Sequence, residues 1–134
     1  MNRRIYIVVA LLVMAGMFAG ALAQQPPKPK KLSNKEQALV DAKPLGSMQN
    51  PVRCSKMAGA KEYIARLRCA TGKAPKAEYN GAVGQGPYGT NMEYFRLTCK
   101  SEDSPLDLFL DPNHKDFVEE LPIPGFTIVK PKGK

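Results

Sequence analysis

The chain predicts a small α+β domain, and three observations carry that expectation. Met92 to Cys99 alternates, with Phe95, Leu97 and Cys99 on one side and Tyr94, Arg96 and Thr98 on the other, the period of a half-buried strand. Leu106, Leu108 and Leu110 repeat that period further on. Ala60, Tyr63, Ile64 and Leu67 instead fall at i, i+3, i+4 and i+7, the stripe of an amphipathic helix. Short strands separated by Gly and Pro turns, with one or two short helices ahead of them, describe an antiparallel sheet of about four strands. Basic tails too polar to join a core are expected to be disordered on either side.

Taken in order, Gln24 to Lys31 is rich in Pro and Lys and reads as an extended, polyproline-like tether. Ser33-Asn34-Lys35-Glu36 fits a capping box, with Ser as the N-cap and Glu three residues on. It opens a short helix that ends near Ala42, before Pro44. Only Ala38, Leu39 and Val40 give that helix an apolar side, so weak docking is expected. The compact domain is placed at 46–129, after a tether over 24–45 and before a basic tail at 130–134. Within it, a helix over Ala58 to Leu67 feeds a short strand ending at Cys69. Thr71 to Pro75 is a turn. Strands follow at Lys76 to Val83, Met92 to Cys99 and around Leu106 to Leu110. Asp111-Pro112-Asn113 ends the last of these, and Phe126 to Lys130 forms a final strand. Asn50 to Ser55, polar and marked by Pro51, reads as loop.

Residues 1–23 look like an export signal. Arg3 and Arg4 form a positive start, an apolar run follows from Ile5, and Ala21-Leu22-Ala23 offers small residues before a cleavage point at Ala23–Gln24. No cysteine follows that point, so a lipid anchor is not indicated. Ile5 to Ala23 is also close to the length of a membrane-spanning helix, and an uncleaved leader would anchor the chain. Either way, the basic residues ahead of the run place the remainder outside the cytoplasm. A periplasmic or secreted location is the expectation.

Beyond residue 23 the chain carries eighteen Lys and Arg against twelve Asp and Glu, and the surplus sits at the ends. Residues 24–43 contribute +3, as do Lys130, Lys132 and Lys134, while 44–125 is neutral. Such tails attract polyanions, more weakly as salt rises. Outside the cytoplasm those polyanions are anionic envelope polymers rather than nucleic acid. The neutral middle is itself divided. Pro44 to Lys100 has nine basic residues against three acidic, and Ser101 to Gly125 has seven acidic against Lys115.

Three cysteines in an exported chain leave one over. Leu67-Arg68-Cys69 and Leu97-Thr98-Cys99 place each Cys on the same strand face as a Leu, toward the core. A Cys69–Cys99 disulfide with Cys54 as a free thiol is the expected pairing, and two isolated buried thiols are the alternative.

Candidate sites are few. Gly84-Gln85-Gly86-Pro87-Tyr88-Gly89 matches G-x-G-x-x-G, but a dinucleotide site needs a helix after it, and a strand follows here. No cofactor is expected. The same glycines permit positive φ and close backbone approach. Gly81, Gly84, Gly86, Tyr88 and Gly89 therefore form a candidate ligand loop, with Tyr88 as its aromatic surface, or else a hairpin connection. His114, the only histidine, stands near Asp111, Asn113 and Asp116, too few ligands for a metal site. Cys54, His114 and an Asp are the groups of a thiol hydrolase, with nothing in the spacing to bring them together. No catalytic residue is assigned.

Asn50-Pro51-Val52-Arg53, Tyr63-Ile64-Ala65-Arg66-Leu67-Arg68-Cys69 and Gly86-Pro87-Tyr88-Gly89 resemble strings of small exported bacterial proteins of uncharacterised function. The resemblance spans about 46–128 and implies a bacterial envelope setting and one compact domain, with no activity attached. The expected function is non-enzymatic binding or structural work at the envelope, on anionic polymers or another envelope protein. The alternatives are a protein that forms an intermolecular disulfide through Cys54, and an inhibitor of an envelope enzyme.

Overall fold

A computed structural model describes residues 25, 27–100, 104–131 and 133. The leader and the Ala23–Gln24 cleavage point lie outside the described residues, as do Lys132 and Lys134. Two helices and seven strands run in the order α1 (Asn34–Asp41), β1 (Val52–Ser55), α2 (Lys56–Arg66), β2 (Leu67–Arg68), β3 (Lys76–Gln85), β4 (Asn91–Thr98), β5 (Leu106–Asp111), β6 (Asn113–Val118) and β7 (Thr127–Ile128).

The α+β class holds, and the sheet is richer than the periodicity suggests. Five strands lie in the order β3-β4-β5-β1-β6, with β2 and β7 paired in a separate ribbon. β3, β4 and β5 form an antiparallel meander, but β1 joins β5 in parallel, Val52 beside Leu110 and Arg53 beside Asp111. The sheet is therefore mixed, because β1 inserts between β5 and β6, two strands that Pro112 alone separates in sequence. Asn50 to Ser55 is thus not a loop throughout. Val52 and Cys54 face inward as a buried strand too short to display a period. Nor does Asp111-Pro112-Asn113 end the sheet, since β6 turns back along β1. The polar string Asn113 to Asp116 conceals that strand.

α2 covers one face of the sheet. Its Ala60, Tyr63 and Ile64 pack with Val52 and Cys54 of β1, Phe95 and Leu97 of β4, Leu108 and Leu110 of β5, and Ile123. The Leu97 and Leu108 alternation that signals the strands is the same alternation that builds this core. Gly46, at φ +88°, lets the chain pass so close that a Cβ there would lie 2.7 Å from Ile123 Cγ2 and 2.9 Å from Leu108 Cδ1.

Cys69 and Cys99 are disulfide-bonded with a Cα–Cα distance of 6.0 Å. The bond ties the residue after β2 to the residue after β4, both buried. Behind it, Arg66 is buried with its Nη2 donating to Glu119 O at 2.6 Å and its Nη1 to Val129 O at 3.4 Å. Val129 N donates back to Arg66 O at 2.9 Å, which holds β7 against β2. Among the described residues no helix is long and apolar enough to cross a membrane.

α1 carries the expected capping box, Glu36 N donating to Ser33 Oγ and Ser33 N to Glu36 Oε2. It docks through one buried side chain, Val40, and through Gln37, whose Nε2 donates to Tyr88 Oη at 3.2 Å. Lys30 N donates to Tyr88 O at 2.8 Å, so the end of the proposed tether is already pinned to the β3–β4 connection.

Candidate functional site

The face of the sheet opposite α2 holds the chemistry. Because Val52 and Leu110 turn into the core, their neighbours Arg53 and Asp111 turn the other way, side by side on parallel strands. β6 brings His114 and Phe117 to the same place, and the β3–β4 connection brings Tyr88 and Thr90.

Asp111 is fully buried and is the hub. Its carboxylate accepts from Thr90 Oγ1, from Asn113 N at 3.1 Å, from Asn113 Nδ2 at 2.8 Å and from His114 Nε2 at 3.1 Å. Burial alone would raise its pKa. The hydrogen bonds from His114, Thr90 and Asn113, with the attraction of His114, outweigh burial and hold it below the ordinary carboxylate value. The Asp111 carboxylate thus orients the His114 ring and fixes its tautomer, with the proton on Nε2. Of the polar side-chain atoms buried among the described residues, Arg66 Nε alone lacks a partner.

Arg53 lies against aromatic rings. Its guanidinium carbon is 4.2 Å from the Phe117 centroid and 5.8 Å from that of Tyr88. Those are the two rings His114 also meets, Tyr88 edge-on at 4.6 Å and Phe117 at 6.4 Å. Among the described residues the guanidinium has no hydrogen-bond acceptor and no carboxylate within ion-pair distance. Phe117 and His114 reach it because β6 pairs only at its ends, Cys54 with Val118 and Ser55 with Asn113, and bulges between them. Asp116, at φ +59°, sits in that bulge with an exposed side chain.

The sequence-flagged residues are redistributed. Gly81 and Gly84 belong to β3, Gly81 at a register shift with φ +98°, so the connection proper is Gly86 to Thr90. It closes with Gly86 N donating to Thr90 O at 2.9 Å, and strands flank it on both sides, which leaves no helix for a dinucleotide. Tyr88 is buried rather than presented as a contact surface, because its ring is wedged against His114 and its hydroxyl meets Gln37. Tyr88 and His114, which the sequence kept apart, are neighbours. Among the described residues no three His, Cys, Asp or Glu side chains converge as metal ligands.

Cys54 is free and buried, on the α2 face, with Sγ directed at Asp111 O at 3.7 Å. Burial and, second, the Asp111 charge push its thiol up to about 12, so it stays protonated and out of reach. It faces away from His114 and offers that ring no nucleophile. Arg53 was missed as a site residue. The signal available was its place in Asn50-Pro51-Val52-Arg53, one step out of phase with Val52 and Cys54.

Compared with known proteins, the chain matches no family model, no curated protein and no solved structure.

Proposed function

We propose that the chain is an exported, non-catalytic protein of the bacterial envelope, periplasmic or secreted, that binds anionic groups of envelope polymers. The observation that carries this reading is the Arg53 guanidinium, half-buried on two aromatic rings and without an acceptor of its own. Its N–H donors face water rather than a protein acceptor. An oxyanion would accept from them in the paired geometry that guanidinium favours. The rings fix Arg53 beforehand, so little side-chain freedom is lost on binding. The disulfide, the leader-like first 23 residues and the lysine-rich ends fit the same setting. The lysines add a diffuse, salt-screened attraction, and Arg53 adds a located contact.

Co-sedimentation with purified envelope fragments at low salt and at about 0.15 M salt separates the two contributions. Arg53→Gln is expected to lower the binding that survives added salt about tenfold, while neutralising the tail lysines removes the salt-sensitive part. If Arg53→Gln, folded and with an unchanged melting temperature, sediments as the parent does, the reading fails.

A further inference from the structure

We propose that the groove between α1 and the β3–β4 connection docks on an anionic phospholipid bilayer, so that the protein works at a membrane surface. This goes beyond the Arg53 contact and does not depend on it. Val40 and Met92, both buried, form the floor of the groove. Gly86 closes over Met92, since a Cβ there would lie 2.7 Å from the Met92 sulfur. Leu39 and Met48 line the same groove, yet Leu39 is 63% exposed and Met48 49%. Single exposed apolar side chains are ordinary, whereas two that share an apolar groove mark a surface with a partner. α1 docks through Val40 alone, which leaves Leu39 free to meet that partner.

Charge decides what that partner is. Among the described residues that line the groove, Lys43 alone is charged. Lys35 stands four residues before Leu39 and so shares its stripe of α1. The bond from Lys30 N to Tyr88 O holds Lys28 and Lys31, both exposed, beside the connection whose Pro87 lines the groove. The acidic side chains of α1 are engaged elsewhere. Lys30 Nζ donates to Glu36 Oε1 at 3.0 Å, and Gln37 Nε2 donates to Asp41 Oδ1 at 2.8 Å. An apolar strip set among lysines is the pattern of a segment lying in a bilayer interface, with ammonium groups at the phosphates and apolar side chains at the acyl boundary. The groove is open rather than enclosed, which suits a broad surface better than a small molecule. A second copy would set these lysines against their own kind.

The chain has no tryptophan, so Leu39→Trp installs a single reporter in the groove. The protein, purified as cells process it, is titrated with vesicles of phosphatidylglycerol and phosphatidylcholine, and with vesicles of phosphatidylcholine alone. On the mixed vesicles the emission is expected to shift to the blue and to be quenched by lipids brominated high in the acyl chains. On phosphatidylcholine alone the same shift should need at least about tenfold more lipid. Lys35→Gln and Lys43→Gln in that background should each raise the lipid required about fivefold. Leu121→Trp is the control. Leu121 is 65% exposed but lies beside α2, where its carbonyl accepts from Tyr63 Oη, and a reporter there should not shift. Arg53→Gln should leave the Leu39→Trp shift in place. No shift at position 39, equal shifts at 39 and 121, or equal shifts on charged and neutral vesicles would overturn the proposal and leave the Arg53 reading untouched. A shift abolished by Arg53→Gln would make the lipid a ligand of that contact and overturn the groove. A shift that grows with protein concentration in the absence of lipid would put a second copy in the groove instead.

Discussion

Asp111 shows how a single side chain organises the outer face. Four donors converge on a carboxylate with no solvent contact, so removing its charge leaves buried groups underserved. Asp111→Asn is expected to destabilise the fold by about 2–3 kcal/mol at pH 7, measured by urea unfolding. The pH dependence has a definite sign. The folded carboxyl titrates below its unfolded value of about 3.9, so its contribution is complete above that pH. It is lost as pH falls through the lower, folded value. The difference between parent and Asp111→Asn should therefore narrow below about pH 4, and a constant difference down to pH 2 would contradict the assignment. Cys54 gives a second test at this scale. With its pKa pushed up to about 12 and its sulfur buried, it should resist iodoacetamide in the native protein and react as one thiol in denaturant. Rapid native alkylation would revive a thiol-based role.

Among the elements, α1 and the β3–β4 connection form one docked unit. α1 buries only Val40, and its attachment depends on Gln37, Lys30 and the capping box. The Ser33 cap and the Lys30 ammonium hold the Glu36 carboxyl at about 2, well below its usual value. Ser33→Ala should weaken α1 by about 1 kcal/mol, seen as faster amide exchange over 34–41 with little change in global unfolding. Because Gln37 rests on Tyr88, and Tyr88 on His114, loosening α1 should also broaden the His114 ring resonances. The bulge in β6 is the other decisive element, since a regular strand would carry Phe117 and His114 past Arg53 rather than around it.

For the whole molecule, the disulfide is the main covalent restraint on a short chain. It closes a separation of 30 residues, for which the chain-entropy account gives about 3–4 kcal/mol. Cys69→Ser with Cys99→Ser should lower the unfolding free energy by about that amount, and by more if the two buried hydroxyls find no partners. Reduction that left the melting temperature unchanged would show that the β2–β7 ribbon and the β4 end hold without it. The excess charge remains at the ends of the chain, so the whole-molecule attraction to polyanions and the located Arg53 contact are separable by salt.

The sequence by itself determined the α+β class, both helices and the β4 and β5 alternation, and it put Cys69 and Cys99 on core-facing strand positions. Each depends on residues close together in the chain, or on a face repeat that a strand or helix must obey. Only the tertiary structure decided that β1 enters the sheet in parallel, that β6 exists, and that Arg53, Tyr88, Asp111 and His114 meet. β1 is too short to carry a period, and β6 is bulged and polar. The four site residues come from separate segments joined only by sheet topology. Pairing partners and registers are long-range choices made by packing, and a local pattern does not contain them.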